Sequence, residues 1–145
     1  MKNLFASLLY SDSGSRLNNI ALLLLRVAVS TQLIIVHGLK KIGVGVSVAE
    51  SVPNPLGLPA LFNQEFATIA NIIMPLFIVF GFCTRLAAVP VLAVTLTGYF
   101  IVHADDPLAV KDIPFMYAVS FLYIAMVGAG RYSVDNYLSV KHFTR

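Results

Sequence analysis

Residues 26–41, RVAVSTQLIIVHGLKK, decide the fold. They are the second half of an apolar run that starts at Ile20, so an arginine stands inside a candidate membrane span. Arg26 and His37 lie eleven residues apart, three turns of an α-helix, which points both side chains the same way. Ser30 and Leu33 share that face, and Lys40 follows about one turn later. At 1.5 Å per residue the guanidinium and the imidazole stand about 16 Å apart along the axis. A charge in hydrocarbon costs at least about 2.5 kcal/mol, so this face must turn toward protein or trapped water.

The rest of the chain fits that setting. It has 145 residues, 58% of them hydrophobic and 12% charged, where a soluble domain carries about 25% charged residues. The chain reads as one all-α integral membrane domain. Its basic residues are too few for a nucleic-acid footprint. The single cysteine, Cys83, excludes an internal disulfide, a CxxC redox pair and a CxxCH haem attachment. Any redox chemistry must therefore use a bound cofactor or a partner. At the N-terminus no cleavable signal is evident, because LFASLLY is short and runs into polar SDSGSRLNN. Leu4, Phe5, Leu8 and Leu9 instead outline a short helix lying on the membrane surface.

Four apolar segments follow: 20–42, a second from 59 or 66 to 82, then 86–103 and 113–127. None shows the period-two alternation of a membrane β-strand, so the expectation is a four-helix transmembrane bundle. GFCTR (81–85) joins the second and third helices as antiparallel neighbours. ADDPLAVKD (104–112) joins the third to the fourth, with Asp112 just ahead of Pro114 at the expected first turn. The first connection, GVGVSVAESVPNPLGLPALFN (43–63), is longer, apolar and rich in Gly and Pro. It suits the interface or a lid over the bundle mouth, with room for a short interfacial helix that restarts after Pro59.

Lys2, Arg16, Arg85, Arg131, Lys141 and Arg145 fall on one side; Lys40, Lys41 and Lys111 fall on the other, with Glu50, Glu65, Asp105, Asp106 and Asp112. The bias of basic residues places both termini in the cytoplasm and the acidic mouth outside.

Polar residues form stripes at helical spacing. Gln64, Thr68, Asn71 and Pro75 make one; Asp112, Met116, Ser120 and Tyr123 make another; Tyr99 precedes His103 by one turn. Turned inward, such stripes bond helix to helix for about 0.6 kcal/mol apiece; packing glue and interface tyrosines are the plain alternatives. By depth the polar groups sort into two clusters. The outer one holds His37, Lys40, Glu65, His103 and Asp112. Imidazole and carboxylate there can hold a quinone oxygen and pass its protons, or can simply form a solvated rim. Two imidazoles and a carboxylate also suit a divalent metal, but they come from separate helices without a local metal motif, and no metal is expected. The inner cluster holds Arg26, Arg85, Arg131 and Asp135. An Arg26–Asp135 lock between helix ends is the expected arrangement, with an anion site as the sharper alternative.

In order and spacing these pieces resemble the DoxX family of small four-helix membrane proteins, across residues 20–138. The matching pieces are Arg26 followed by HGLKK (37–41), GLPA (57–60), GFCTRLAA (81–88), His103 and GAGRYSVD (128–135). The resemblance implies the inner (cell) membrane of a bacterium or archaeon and a redox association, as in a similar thiosulfate:quinone oxidoreductase subunit and relatives tied to oxidative, thiol or electrophile stress. One departure stands out. Relatives carry a glutamate ten residues before the glycine of the GxxTR turn, and here that position is Asn71. The intramembrane carboxylate is gone, while an acidic residue near the start of helix four is kept as Asp112.

Two functions from different classes follow as expectations. The first is a membrane subunit of a redox system that binds a quinone or similar lipophilic cofactor through His37, Lys40, His103 and Asp112 and docks a partner oxidoreductase. The second is a non-enzymatic module that organises a membrane complex or carries a small lipophilic molecule or anion. An oligomer is compatible with either.

Overall fold

The computed structural model describes residues 14–143, so the surface helix expected around Leu4 to Leu9 lies outside the described residues. Four helices are long and apolar enough to cross a membrane: Arg16–Lys41, Ala60–Phe80, Thr84–Val102 and Leu108–Val127. A fifth, Val134–Phe143, follows them. Among the described residues all regular structure is helical, as the sequence implies. The end carrying the fifth helix is termed inner, the opposite end outer.

Neighbouring spans pack in chain order, first on second, second on third, third on fourth. Their shared core is Leu33, Ile78, Ala87, Ala88, Val91, Phe121 and Ile124. Buried alanines at 67, 70, 87, 88 and 118 let the backbones approach closely. The outward belt is apolar: Leu24, Phe80, Phe100 and Met126 are each more than 60% exposed, as lipid contact requires. The first and fourth spans meet along the loosest seam, which leaves a groove of about 460 Å³ lined by Asn18, Ala21, Leu22, Leu25, Tyr123 and Val127.

The face read from residues 26–41 is buried at Arg26, Ser30 and Leu33. Two span boundaries differ from expectation. The first helix begins at Arg16, before the apolar run. The fourth begins at Leu108, because Pro107, which lacks an N–H, serves as its opening residue. Asp112 therefore sits in the second turn rather than opening the helix. Pro114, inside the helix, removes only the bond to the Val110 carbonyl, close to the exposed outer rim.

The second span is broken at Ile72 into Ala60–Asn71 and Ile73–Phe80. Pro75 cannot donate to the carbonyl of Asn71, and Ile72 departs from helical geometry with φ −123°. The first span meets this break with a π-helical turn, Ile34–Gly38. A Cβ on Gly38 would lie 2.6 Å from the Asn71 carbonyl oxygen, so only glycine fits. The third span ends in a matching π-helical turn, Gly98–Val102. The first connection holds turns without a helix of its own, pinned by Gln64, which accepts from the Val52 N–H (3.1 Å), and by Asn63, which donates to the Pro53 carbonyl (3.1 Å).

Candidate functional site

The inner cluster is a knot built mostly from backbone. Arg26 is 1% exposed. Its Nη1 donates to the Ala129 carbonyl (2.5 Å) and its Nη2 to the Tyr132 carbonyl (2.9 Å). The expected Arg26–Asp135 ion pair does not form. The Asp135 carboxylate instead accepts from the N–H groups of Cys83 (2.6 Å) and Thr84 (2.9 Å). Those are the free donors at the start of the third span, where the helix dipole also favours a negative charge. The Asp135 N–H in turn donates to the Gly81 carbonyl (2.8 Å).

Gly81 ends the second span in a left-handed conformation, φ 70°. The Phe82 N–H returns to the Phe77 carbonyl, with their rings 5.6 Å apart, a Schellman-type stop. A Cβ on Gly81 would lie 2.5 Å from Arg26 Nη1 and from Ser133 Cβ. Cys83 is also left-handed, φ 46°, held there by Asp135. Burial and then the Asp135 charge push its thiol above the ordinary range. Asn19 completes the strap, its Oδ1 accepting from the Arg131 N–H (2.9 Å). Arg85 reaches the Val127 carbonyl (3.3 Å), and Arg131 is exposed. Of the four residues grouped from sequence, Arg26 and Asp135 are the buried centre and Arg85 and Arg131 its margin.

The outer end is different. His103 follows the π-helical turn of the third span, and its Nδ1 lies 2.7 Å from Asp106 Oδ2. Lys111 donates to the Ala104 carbonyl (2.5 Å), and its ammonium stands 5.6 Å from the centre of the Tyr99 ring. Tyr99 also packs on Phe115 at 5.6 Å. Directly beside it runs a wholly apolar groove of about 240 Å³ between the third and fourth spans, lined by Leu92, Leu96, Tyr99, Phe100, Phe115, Ala118, Val119 and Leu122. A polar rim thus stands over an apolar slot.

His37 is placed elsewhere. It is half-buried and meets Tyr117 edge-on at 5.5 Å. Phe115 and Tyr117, two residues apart on one helix, point to nearly opposite sides, so His37 and Tyr99 meet different faces of the fourth span. Lys40, Glu65 and Asp112 are exposed. Lys41, beside Lys40, pairs with Glu50 at 3.5 Å. The sequence pattern alone pairs neither Asp106 with His103 nor Lys111 with Tyr99. The i, i+3 spacing of His103 and Asp106 just past a helix end was the available signal.

The polar stripes do less between helices than expected. Thr68 donates to the Gln64 carbonyl and Asn71 to the Ala67 carbonyl, both within their own helix. In the fourth span Met116 and Tyr123 are at least half exposed, and Phe121 and Ile124 take the core instead, since apolar burial outweighs a weak interhelical bond. Among the described residues no group of three or more His, Cys, Asp or Glu side chains is placed to hold a metal ion.

Residues 21–104 match the family model DoxX, a stretch that takes in most of the first span, the second and the third. An uncharacterized protein of Haemophilus influenzae is 28% identical over 103 residues, covering 68% of each chain. No solved structure matches.

Proposed function

The chain belongs to the DoxX family, and from that premise we propose that it is a membrane redox subunit. In this reading it binds a quinone or similar lipophilic cofactor at its outer end and docks a partner oxidoreductase. The observation that carries the reading is the apolar groove between the third and fourth spans, opening beside Tyr99 under the His103–Asp106–Lys111 rim.

The residues fit such a ligand in two parts. Sites for drug-sized ligands enclose about 300–1,000 Å³. The slot of about 240 Å³ is smaller, and takes a segment of isoprenoid or acyl chain rather than a whole molecule. A head group then lies at the rim. Lys111 spends one of its three N–H donors on the Ala104 carbonyl, leaving the others for a ligand oxygen. Asp106 holds the Nδ1 side of His103, so Nε2 is the nitrogen directed to a ligand or to outer water. A bound quinone supplies two-electron, two-proton chemistry; the partner supplies or removes the electrons. The reading extends the site to His37, Lys40 and Asp112, assigned to the approach from the outer water and to the partner's docking face.

Short-chain quinone titrated into the protein in nanodiscs tests this. Saturable quenching of tyrosine fluorescence is expected. His103→Ala and Lys111→Ala should weaken it at least tenfold while thermal unfolding stays near wild type. Quenching that rises linearly with quinone, equal in wild type and variants, is partitioning into lipid and removes the proposal.

A further inference from the structure

The helix Val134–Phe143 buries two polar side chains and exposes three with apolar bodies, the reverse of the usual arrangement. Asp135 and Ser139, four residues apart on one side, are each 3% exposed. On the opposite side Val134, Tyr137 and Val140 are 39%, 63% and 51% exposed. A helix at the surface of a soluble protein hides its apolar stripe and wets its polar one. Here the polar side packs inward and the apolar side looks out.

The height of this helix is fixed independently. Asp135 in its first turn is clamped to Cys83 and Thr84, where the third span begins, and to Gly81, where the second ends. Its N-terminus is capped by Ser133, whose Oγ accepts from the Asn136 N–H (3.1 Å). The first turn therefore lies level with the inner ends of two spans, where hydrocarbon gives way to head groups. Tyr132 and Tyr137, 42% and 63% exposed, are residues of the membrane–water boundary, apolar in body and polar at the tip. Exposed Arg131 precedes the helix, and the sequence continues through Lys141 to Arg145, a charge that suits anionic head groups.

We infer that Val134–Phe143 is an interfacial anchor, with Val134, Tyr137 and Val140 seated at the head-group boundary of the leaflet at the inner end and exposed Arg131 beside anionic phospholipid. The inference stands apart from the quinone reading, which concerns the opposite end. The test uses nitroxide labels on the full chain in a Cys83→Ser background. Val134→Cys, Tyr137→Cys and Val140→Cys carry the label in vesicles with and without phosphatidylglycerol. Leu122→Cys and Asp106→Cys serve as lipid and water references. At all three helix positions oxygen should relax the label more than a water-soluble nickel chelate does, at a depth shallower than Leu122. Phosphatidylglycerol should deepen the seat. Strong nickel access would mean a helix standing in water, and poor access of both reagents a protein-covered face, a second copy or the first thirteen residues of the chain. Either result overturns the anchor, and an unchanged depth on adding phosphatidylglycerol overturns its electrostatic part.

Discussion

The two ends of the bundle hold their polar groups in opposite ways. At the inner end Arg26 and Asp135 are both at most 3% exposed, and each is answered by backbone: two carbonyls for the guanidinium, two N–H groups for the carboxylate. At the outer end His103 and Asp106 meet side chain to side chain, 35% and 47% exposed, above an apolar slot. A buried charge bonded to fixed backbone is held in one place by it, even though Arg26 Nε is buried without a hydrogen-bond partner among the described residues. An exposed pair over a lipid-facing groove keeps its bonding capacity and gives little to stability. Similar residue types thus hold the architecture at one end and stay exposed at the other.

The strongest way to break that contrast is at Arg26. Arg26→Ala leaves the buried Ala129 carbonyl without its donor, at about 1–3 kcal/mol, and removes the part-buried bond to the Tyr132 carbonyl as well. Thermal unfolding in detergent should drop sharply, with lower yield from membranes. Gly81→Ala should come close behind, since it adds left-handed strain of about 1–2 kcal/mol and drives a methyl into Arg26 and Ser133. Because Arg26 and Asp135 do not pair directly, a cycle of Arg26→Gln and Asp135→Asn should give a coupling below about 1 kcal/mol, well under the 3–5 kcal/mol cost of breaking a buried pair. A coupling as large as that cost would restore the direct lock read from the sequence.

Next in size is Gly38→Ala, at the middle of the bundle. The added methyl meets backbone, the Asn71 carbonyl at 2.6 Å, and the Ile72 side chain at 2.8 Å. Backbone cannot swing aside as a side chain can, so a loss of about 1–3 kcal/mol is expected, in the range of overpacked cores. Wild-type melting behaviour in this variant would show that the π-helical turn slides freely on the break.

Much of this was legible in the chain. Four spans follow from apolar runs of near-membrane length, and the buried face of the first follows from the spacing of Arg26, Ser30 and Leu33. Gly81 stands within the stretch that matches DoxX, and depth groups Asp135 with Arg26. The partners of Arg26 were not legible, because carbonyl oxygens carry no sequence signature and the Gly128-Ala129-Gly130 turn gives no hint of where its backbone points. Helical period placed Asp112, Met116, Ser120 and Tyr123 on one line correctly, but period alone does not say which line wins the core. Phe121 and Ile124 won it. His37 and His103 share a depth by residue count, yet depth does not fix azimuth, and His37 meets Tyr117 while Tyr99, one turn before His103, meets Phe115 on another face.

At the outer rim the stability effects should be small. His103→Ala and Asp106→Asn remove an exposed pair, whose kind is typically worth 0–1 kcal/mol, so melting should barely move. A drop comparable to Arg26→Ala would place the His103–Asp106 pair in the architecture and erase the contrast between the ends.

The smallest effect is expected at Cys83, where the inner knot touches titration. Its thiol is pushed up by burial and, second, by the Asp135 carboxylate, and both disfavour the thiolate. At a given pH the reactive fraction is therefore smaller than for a free thiol. The alkylation rate should be low at neutral pH and keep climbing beyond about pH 8.5, the ordinary thiol value. Asp135→Asn removes the lesser cause and leaves burial, so the curve should move part of the way back toward lower pH. Loosening of the knot would move it in the same direction. Ser133→Ala, which removes the helix cap and keeps the carboxylate, separates the two: a charge effect leaves its curve near wild type, whereas loosening shifts it as well. A rate that levels off below pH 8.5 in the wild type would mean that Asp135 and the buried surroundings do not control this thiol.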